Sequence, residues 1–275
     1  MKSVVVTGAS TGIGWAVCKV LIGQGFRVFG SVRKEEDGAK LARELGATPL
    51  LLDVTDPDEV ARAAQQVRSQ LGGETLYALV NNAGIAVPGP LLYLPLEKFR
   101  QQLAVNVTGP FIVNQAFAPL MGAGSRILMM SSVGGKNGTP FVGAYSASKF
   151  AIEGMSEALR RELMLLGIDV IIVAPGAVAT PIWGKADKMD VIAFARTPYA
   201  ASLRALGDYM REAGKGGLPP EKIGALVHKV LTMAHPRTHY VITPDWMRYL
   251  LLRFLPKRLS DFLVAKTLGL LPKKT

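Results

Sequence analysis

The first two dozen residues constrain the fold more than any other part of the chain. Residues 3–6 are a short, continuous, largely apolar run. Thr7-Gly8-Ala9-Ser10-Thr11-Gly12-Ile13-Gly14 follows, and then an amphipathic segment to about Ile22. An apolar run of this length suits a central parallel strand buried on both faces. The glycines permit a tight turn and bring the backbone close to a pyrophosphate, which then sits at the N-terminus of the following helix. Gly8, Ser10, Thr11, Gly12, Ile13 and Gly14 are thus the first candidates for cofactor contact. A turn of this kind can also serve only to pack helix on strand, so its meaning depends on the rest of the chain.

The rest repeats the pattern. Further strands are expected at 27–32, 48–52, 77–80, 126–131, 169–174 and 240–243, with helices at 36–45, from about 57, from about 96, at 144–165 and at 220–233. Strands alternating with helices at this spacing make an α/β fold, a doubly wound parallel sheet of about seven strands that takes its ligand at the carboxyl ends of the strands. The expected organisation is one domain over residues 1–275. Residues 1–180 form the core, 181–218 a substrate lid, and 219–275 a helix, the last strand and an amphipathic tail.

Each strand end carries a candidate. An acidic residue at the end of the second strand would favour NAD by accepting from the adenosine ribose. Val32 stands there, followed by Arg33 and Lys34. A guanidinium pairs well with a 2′-phosphate, so NADP(H) is preferred and NAD(H) is the alternative. The same cations can simply begin a solvated helix. Asp53, with Val54, can accept from the adenine amino group or cap a helix, although Asp56 before Pro57 fills the cap better. Asn81-Asn82-Ala83-Gly84 can brace the sheet edge and border the cofactor. Asn106 lies in a helical segment, and Gly109-Pro110 just beyond it predicts a local kink where its amide and a freed carbonyl hold water. Pro175-Gly176-Ala177-Val178-Ala179-Thr180 turns the chain across the mouth of the site, with Thr180 able to bond the cofactor.

Chemistry concentrates between Ser131 and Met155. Tyr145 and Lys149 are four residues apart on an expected helix and project from one face. A phenol, with a pKa of ~10, is a poor acid or base near neutrality, and a nearby ammonium group is expected to draw that value down. Ser132 follows the apolar run 127–130, so its hydroxyl can converge on the same point. A donor, a tunable acid and a cation at one place suit proton transfer to or from an oxygen.

Composition excludes other classes. The single cysteine, Cys18, falls in an apolar helix and permits no disulfide framework, which fits a reducing, cytoplasmic setting. The N-terminus is too short for a signal peptide before the first strand, and no run of ~18 uncharged apolar residues suggests a membrane span. The net charge of +11 comes from scattered basic residues with no nucleic-acid module among them. An anionic cofactor accounts for more of it than nucleic acid does. No metal-ligand pattern is expected.

Taken together, the chain resembles the short-chain dehydrogenase/reductase family. The matches are Thr7-Gly8-x-x-x-Gly12-x-Gly14, Asp53, Asn81-Asn82-Ala83-Gly84, Asn106, Ser132, Tyr145-x-x-x-Lys149 and Pro175-Gly176, in the family's order across residues 1–181. The resemblance implies a Rossmann fold and a catalytic tetrad of Asn106, Ser132, Tyr145 and Lys149. Tyr145 would be the general acid or base. Lys149 would bind the nicotinamide ribose, Ser132 would hold the substrate oxygen, and Asn106 would organise a proton-relaying water chain. Of the adjacent serines, the thirteen-residue interval to Tyr145 favours Ser132. A homodimer or homotetramer is implied in the same way.

The substrate end is less explicit. Ile85, Val133, Val142, Ile182 and Trp183 are expected to line an apolar pocket, with Phe141, Ile192, Phe194 and Tyr199 as further candidates. With no cation placed for a carboxylate, a hydrophobic secondary alcohol or ketone is expected. The tail 246–271 mixes aromatic and aliphatic residues with five cations, a look similar to the branch holding retinol and 17β-hydroxysteroid dehydrogenases. Such a tail can pack on the protein or lie on an anionic membrane surface. A non-catalytic NADP-binding regulator is the other reading of the whole.

Overall fold

The computed structural model describes residues 1–181 and 193–272. Seven strands form one wholly parallel sheet: β1 (Ser3–Val6), β2 (Arg27–Val32), β3 (Thr48–Leu51), β4 (Ala78–Asn81), β5 (Arg126–Met130), β6 (Asp169–Pro175) and β7 (His239–Ile242). Their spatial order is β3-β2-β1-β4-β5-β6-β7. The order reverses direction at β1, and there the crossovers diverge to opposite faces and leave a crevice above the strand ends.

Two apolar layers clamp the sheet. On one face α1 (Gly12–Gly23) and α8 (Pro220–Thr232) bury Val17, Cys18, Leu21, Ile223 and Val227 against β1, β5 and β6. On the other, α3 (Pro57–Leu71), α5 (Gly109–Phe117) and α6 (Gly143–Leu163) bury Val60, Val67, Val113, Phe117 and Ile152. The alternation follows the strand period, with Val4 and Val6 on the first face and Val5 on the second. Cys18 is fully buried, and burial pushes its thiol up to about 12, so it is an inert core residue as its setting predicted.

Helix ends follow local chemistry. Asp56 caps α3 by accepting from the backbone N–H groups of Asp58 and Glu59, with Pro57 in the first turn. The helix expected from residue 96 is α4 (Leu96–Leu103), followed by a π turn at Ala104–Thr108 that leads into α5. The kink predicted beside Asn106 is this turn. A third apolar cluster closes the far end of the crevice, where α7 (Ala200–Lys215) packs Leu203 and Leu206 against Phe141, Phe194 and Leu268. Helices α2 (Glu35–Leu45), α9 (Trp246–Phe254) and α10 (Lys257–Thr267) complete the described residues. None of the described helices is long and apolar enough to cross a membrane.

Candidate active site

A cavity of about 470 Å³ runs along the carboxyl ends of the strands from Arg33 to α7. Its floor is the turn between β1 and α1, which is braced from three sides. Gly8 N–H donates to Ser31 Oγ (3.0 Å), Asn82 Nδ2 donates to Thr7 O (2.9 Å) and Gly8 O (3.2 Å), and Thr7 Oγ accepts from Ala83 N–H (3.0 Å). Gly8 and Gly12 adopt φ of +67° and +59°, which a side chain resists. No side chain caps α1. Its first-turn N–H groups remain available to an anion beside Ser10, Thr11, Gly12 and Ile13, all of which line the cavity.

These features fit a dinucleotide. The cradle at Gly8–Ile13 suits the pyrophosphate. At one end Arg33, Asp53 and Val54 line the space for the adenosine half. At the other, Asn82, Ala83, Gly84, Pro175, Gly176, Val178 and Thr180 surround the place for the nicotinamide half, close to Tyr145 and Lys149. Gly14 does not line the cavity. A Cβ there would collide with Gly8 O and lie 2.6 Å from Asn82 Nδ2, so this glycine sets how closely the helix approaches the turn. Gly14→Ala is expected to weaken dinucleotide binding at least about tenfold by pushing the turn off its braces; fluorescence titration of the nucleotide measures it.

Lys34 does not join the site either. Its ammonium pairs with Glu36 Oε1 at 3.0 Å on the first turn of α2, away from the cavity. Arg33, 70 % exposed at its side chain, lies 3.7 Å from Asp53 Oδ2. Asp53 Oδ1 accepts from Thr55 N–H (2.9 Å) and Thr55 Oγ (2.7 Å). Burial raises this carboxyl, but the two Thr55 bonds and Arg33 outweigh it and hold the pKa below the usual value.

The reacting end is built on β5, the turn after it and α6. Ser132 Oγ accepts from Gly134 N–H (3.1 Å), which fixes the hydroxyl at the strand end. Tyr145 meets it from the first turn of α6, half-buried. Lys149 stands one turn on, its Nζ donating to Met130 O at 2.7 Å. The lysine head is thereby held 5.7 Å from the centroid of the Tyr145 ring. Burial raises the Tyr145 pKa, and the hydrogen bond with Ser132 offsets only part of the rise. The expected depression of the phenol by the lysine is not seen: burial raises it and only the Ser132 bond opposes the rise. Lys149 moves the other way: burial brings it down to about 8 against the opposing charge of Glu153.

Asn106 is 1 % exposed and lies behind the cavity wall. Its Oδ1 accepts from Ile85 N–H (2.9 Å), and its Nδ2 donates to Ile85 O (3.0 Å) and Ser148 Oγ (3.0 Å). The amide thereby pins the loop after β4 to α6. Gln102, one turn before it, extends the clamp by accepting from Val87 N–H (2.7 Å) and donating to Ile85 O (2.8 Å). Sequence reasoning missed Gln102, although the i, i+4 spacing of two amides on an otherwise polar helix was a signal for it.

At the substrate end Ile85, Val133 and Val142 line the cavity as expected, joined by Leu206, Tyr209, Met210 and Ala213 of α7, which were not anticipated. Phe194 and Tyr199, expected there, pack instead with Phe141 in the third apolar cluster. Phe141 adopts φ +64°, a left-handed conformation that a bulky residue holds only under constraint. Its ring lies 5.6 Å from that of Tyr199. Ile182, Trp183 and Ile192 lie outside the described residues. No metal-binding cluster of His, Cys, Asp or Glu occurs among the described residues.

A nucleotide cradle at a topological switch point, with a serine, a tyrosine and a lysine at its far end, defines a nicotinamide-dependent oxidoreductase. The profile of the short chain dehydrogenase family matches residues 2–191. The chain is 35 % identical to an NADPH-dependent 3-dehydrocapnine reductase of Ornithobacterium rhinotracheale over all of both chains. It is also 30 % identical to human dehydrogenase/reductase SDR family member 9, over 96 % of this chain and 88 % of that one. A short-chain dehydrogenase of Streptomyces avermitilis superposes with a TM-score of 0.77 at 26 % identity, covering 96 % and 94 % of the two chains. This chain belongs to the short-chain dehydrogenase/reductase family, whose members are oxidoreductases that use NAD or NADP.

Proposed function

We propose that the protein is an NADP(H)-dependent reductase that converts a hydrophobic ketone to its secondary alcohol. The observation that carries this reading is the pair of hydroxyls, Ser132 and Tyr145, at the wall of a cavity whose far end is apolar. A phenol raised by burial stays protonated at neutral pH, which suits a general acid for reduction. When bound, NADPH supplies the hydride. Lys149 holds the nicotinamide ribose. Ser132 donates to the carbonyl oxygen and orients it, and Tyr145 donates a second hydrogen bond and passes its proton to the oxygen as charge develops there. Asn106 acts through position, keeping the loop at Ile85 closed on α6. A water held by the π-turn backbone is the proposed route for returning the proton to Tyr145.

Arg33 supports NADP over NAD, because an exposed guanidinium at the adenosine end suits a 2′-phosphate and no carboxylate stands at Val32. The reductase of Ornithobacterium that this chain resembles along its whole length is named for NADPH. The apolar wall supplied by Val133, Val142, Leu206 and Met210 supports a hydrophobic substrate, and none of the described lining residues at that end is a cation placed for a carboxylate. Residues 181–218 act as the substrate lid, and exposed Phe111 and Phe150 on α5 and α6 support a homo-oligomer, which sedimentation velocity would report.

The test is consumption of NADPH and NADH with a panel of aliphatic, aryl and steroid ketones. NADPH is expected to be preferred, and Arg33→Ser is expected to cut that preference by about tenfold or more, the loss of one charge-assisted pair. Equal use of both nucleotides by the parent and the variant would refute the NADP assignment. NADPH binding without turnover of any ketone, or of matching alcohols with NADP⁺, would mark a non-catalytic regulator.

A further inference from the structure

The tail leaves an apolar surface uncovered. On α9, Trp246, Met247, Leu250, Leu251 and Phe254 are all exposed, Phe254 and Met247 by about three quarters of their surface. At about 100° per residue these five side chains fall within an arc of about 140°. Tyr249 and Leu252, on the opposite side, are partly buried. Arg253 and Arg248 flank the apolar arc on its two edges. On α10, Ser260 and Val264 turn inward with Leu268 just past its end, while Leu259, Phe262, Leu263 and Lys266 turn outward.

An apolar face rimmed by cations has two plausible occupants, a second copy of the chain or an anionic bilayer. Charge decides between them. Residues 245–267 carry Arg248, Arg253, Lys257, Arg258 and Lys266 against Asp245 and Asp261. Face-to-face pairing of two copies would set this excess against itself, in a chain of net charge +11. Anionic headgroups complement it, and long basic side chains at the edge of an apolar face reach the headgroup level while the face enters the acyl boundary.

We propose that α9 and α10 form a docking surface for an anionic lipid bilayer. The surface is tied to the catalytic cavity. Leu268 packs with Phe141, Leu203 and Leu206, and the guanidinium of Arg248 sits 4.5 Å over the ring of Tyr209, which lines the cavity. Docking would therefore set α7, and the apolar end of the site, close to the membrane surface.

The experiment is co-sedimentation of the full chain with vesicles of phosphatidylglycerol mixed equally with phosphatidylcholine, against pure phosphatidylcholine. The parent chain is expected to bind the anionic vesicles and release them as salt is raised. Arg253→Glu and Arg258→Glu are each expected to weaken binding roughly fivefold or more. Trp246→Ser with Phe254→Ser should abolish it without changing NADPH turnover of a water-soluble ketone, which shows that these variants fold. Equal binding to both vesicle types, or binding untouched by these substitutions, would overturn the proposal. So would a dimer that the double serine variant dissociates in a chain that never binds vesicles, because the face would then belong to a second copy. The sedimentation readout is independent of any ketone substrate, so its failure is distinct from failure of the reductase reading.

Discussion

Replacing Tyr145 by phenylalanine is expected to lower NADPH-dependent ketone turnover by about 10²–10⁴-fold, the range for losing a positioned general acid, while NADPH affinity stays within about twofold. The two expectations come from different parts of the residue. The ring packs at the cavity wall and survives the change. The hydroxyl, which bonds Ser132 and is proposed to donate to the substrate oxygen, is lost. KM is expected to move little compared with kcat, because the proton is transferred only in the transition state. Stopped-flow loss of NADPH absorbance, with nucleotide titration beside it, separates the two quantities. A variant that keeps more than about a tenth of the parent kcat would mean that another group delivers the proton, and the reading of this site would fail.

The raised phenol pKa gives this prediction a pH signature. Because burial keeps Tyr145 protonated beyond its ordinary value near ~10, the phenol itself should not limit reduction between neutrality and that value. The group that titrates in that window is Lys149, at about 8. An alkaline fall in ketone reduction near pH 8 is therefore expected from loss of the lysine charge, and a pH profile of kcat would check it.

Much of this was legible in the sequence, for a physical reason. The strands are continuous apolar runs, the glycines at 8, 12 and 14 mark backbone that no side chain can enter, and most candidate side chains fall just after a strand, with Asn106, Tyr145 and Lys149 on the helices between. Local pattern alone therefore placed them at one edge of a parallel sheet. Boundaries shifted by a residue or so where a polar side chain was drawn into the sheet, as at Asn81, whose Nδ2 donates to Asn114 Oδ1 at 2.8 Å. Three kinds of detail stayed hidden. Long-range hydrogen bonds such as those from Gln102 and Asn106 to Ile85 depend on how a helix rolls against a distant loop, which sequence spacing does not specify. The direction of the Tyr145 shift depends on how far burial outweighs its bond with Ser132, which sequence spacing does not specify. The wall contributed by α7 was missed because its sequence reads as an ordinary amphipathic helix, and nothing local says that the face holding Leu206 and Met210 meets a cavity.

The second large effect is expected at a residue absent from the motif. Glu153 lies one turn beyond Lys149 on α6 and is 4 % exposed. Its carboxylate is 3.0 Å from Lys136 Nζ, on the turn that follows Ser132, and 3.2 Å from His239 Nε2 on β7. The helix that carries Tyr145 and Lys149, the turn after Ser132 and the last strand thus meet on one buried anion. The charged and titratable groups around it are Lys149 on its own helix, Lys136 on the turn and His239 on the strand. Burial raises the Glu153 carboxyl, but His239, Ser131 and Lys136 beside it outweigh that and hold it below the usual range. It is therefore an anion at working pH, and its charge favours the protonated form of Lys149. Removing the charge removes that help. In Glu153→Gln the Lys149 pKa is expected to fall further below about 8, so the alkaline limb of the activity profile moves to lower pH and kcat at pH 8 drops. The sign for stability is separate. A carboxyl whose folded pKa is depressed stabilises the fold above its unfolded pKa, and that contribution is lost as pH falls through the folded value. The parent should therefore lose part of its advantage over the glutamine variant in acid. Glu153→Ala, which also strips the hydrogen bonds, is expected to cost about 2–3 kcal/mol in urea unfolding, below the ~3–5 kcal/mol of a fully buried pair because Lys136 and His239 are each partly exposed. A glutamine variant with the parent's alkaline limb and a lower melting temperature would reduce Glu153 to a structural clamp. A shifted limb makes it a positioning residue that acts on the reaction through Lys149.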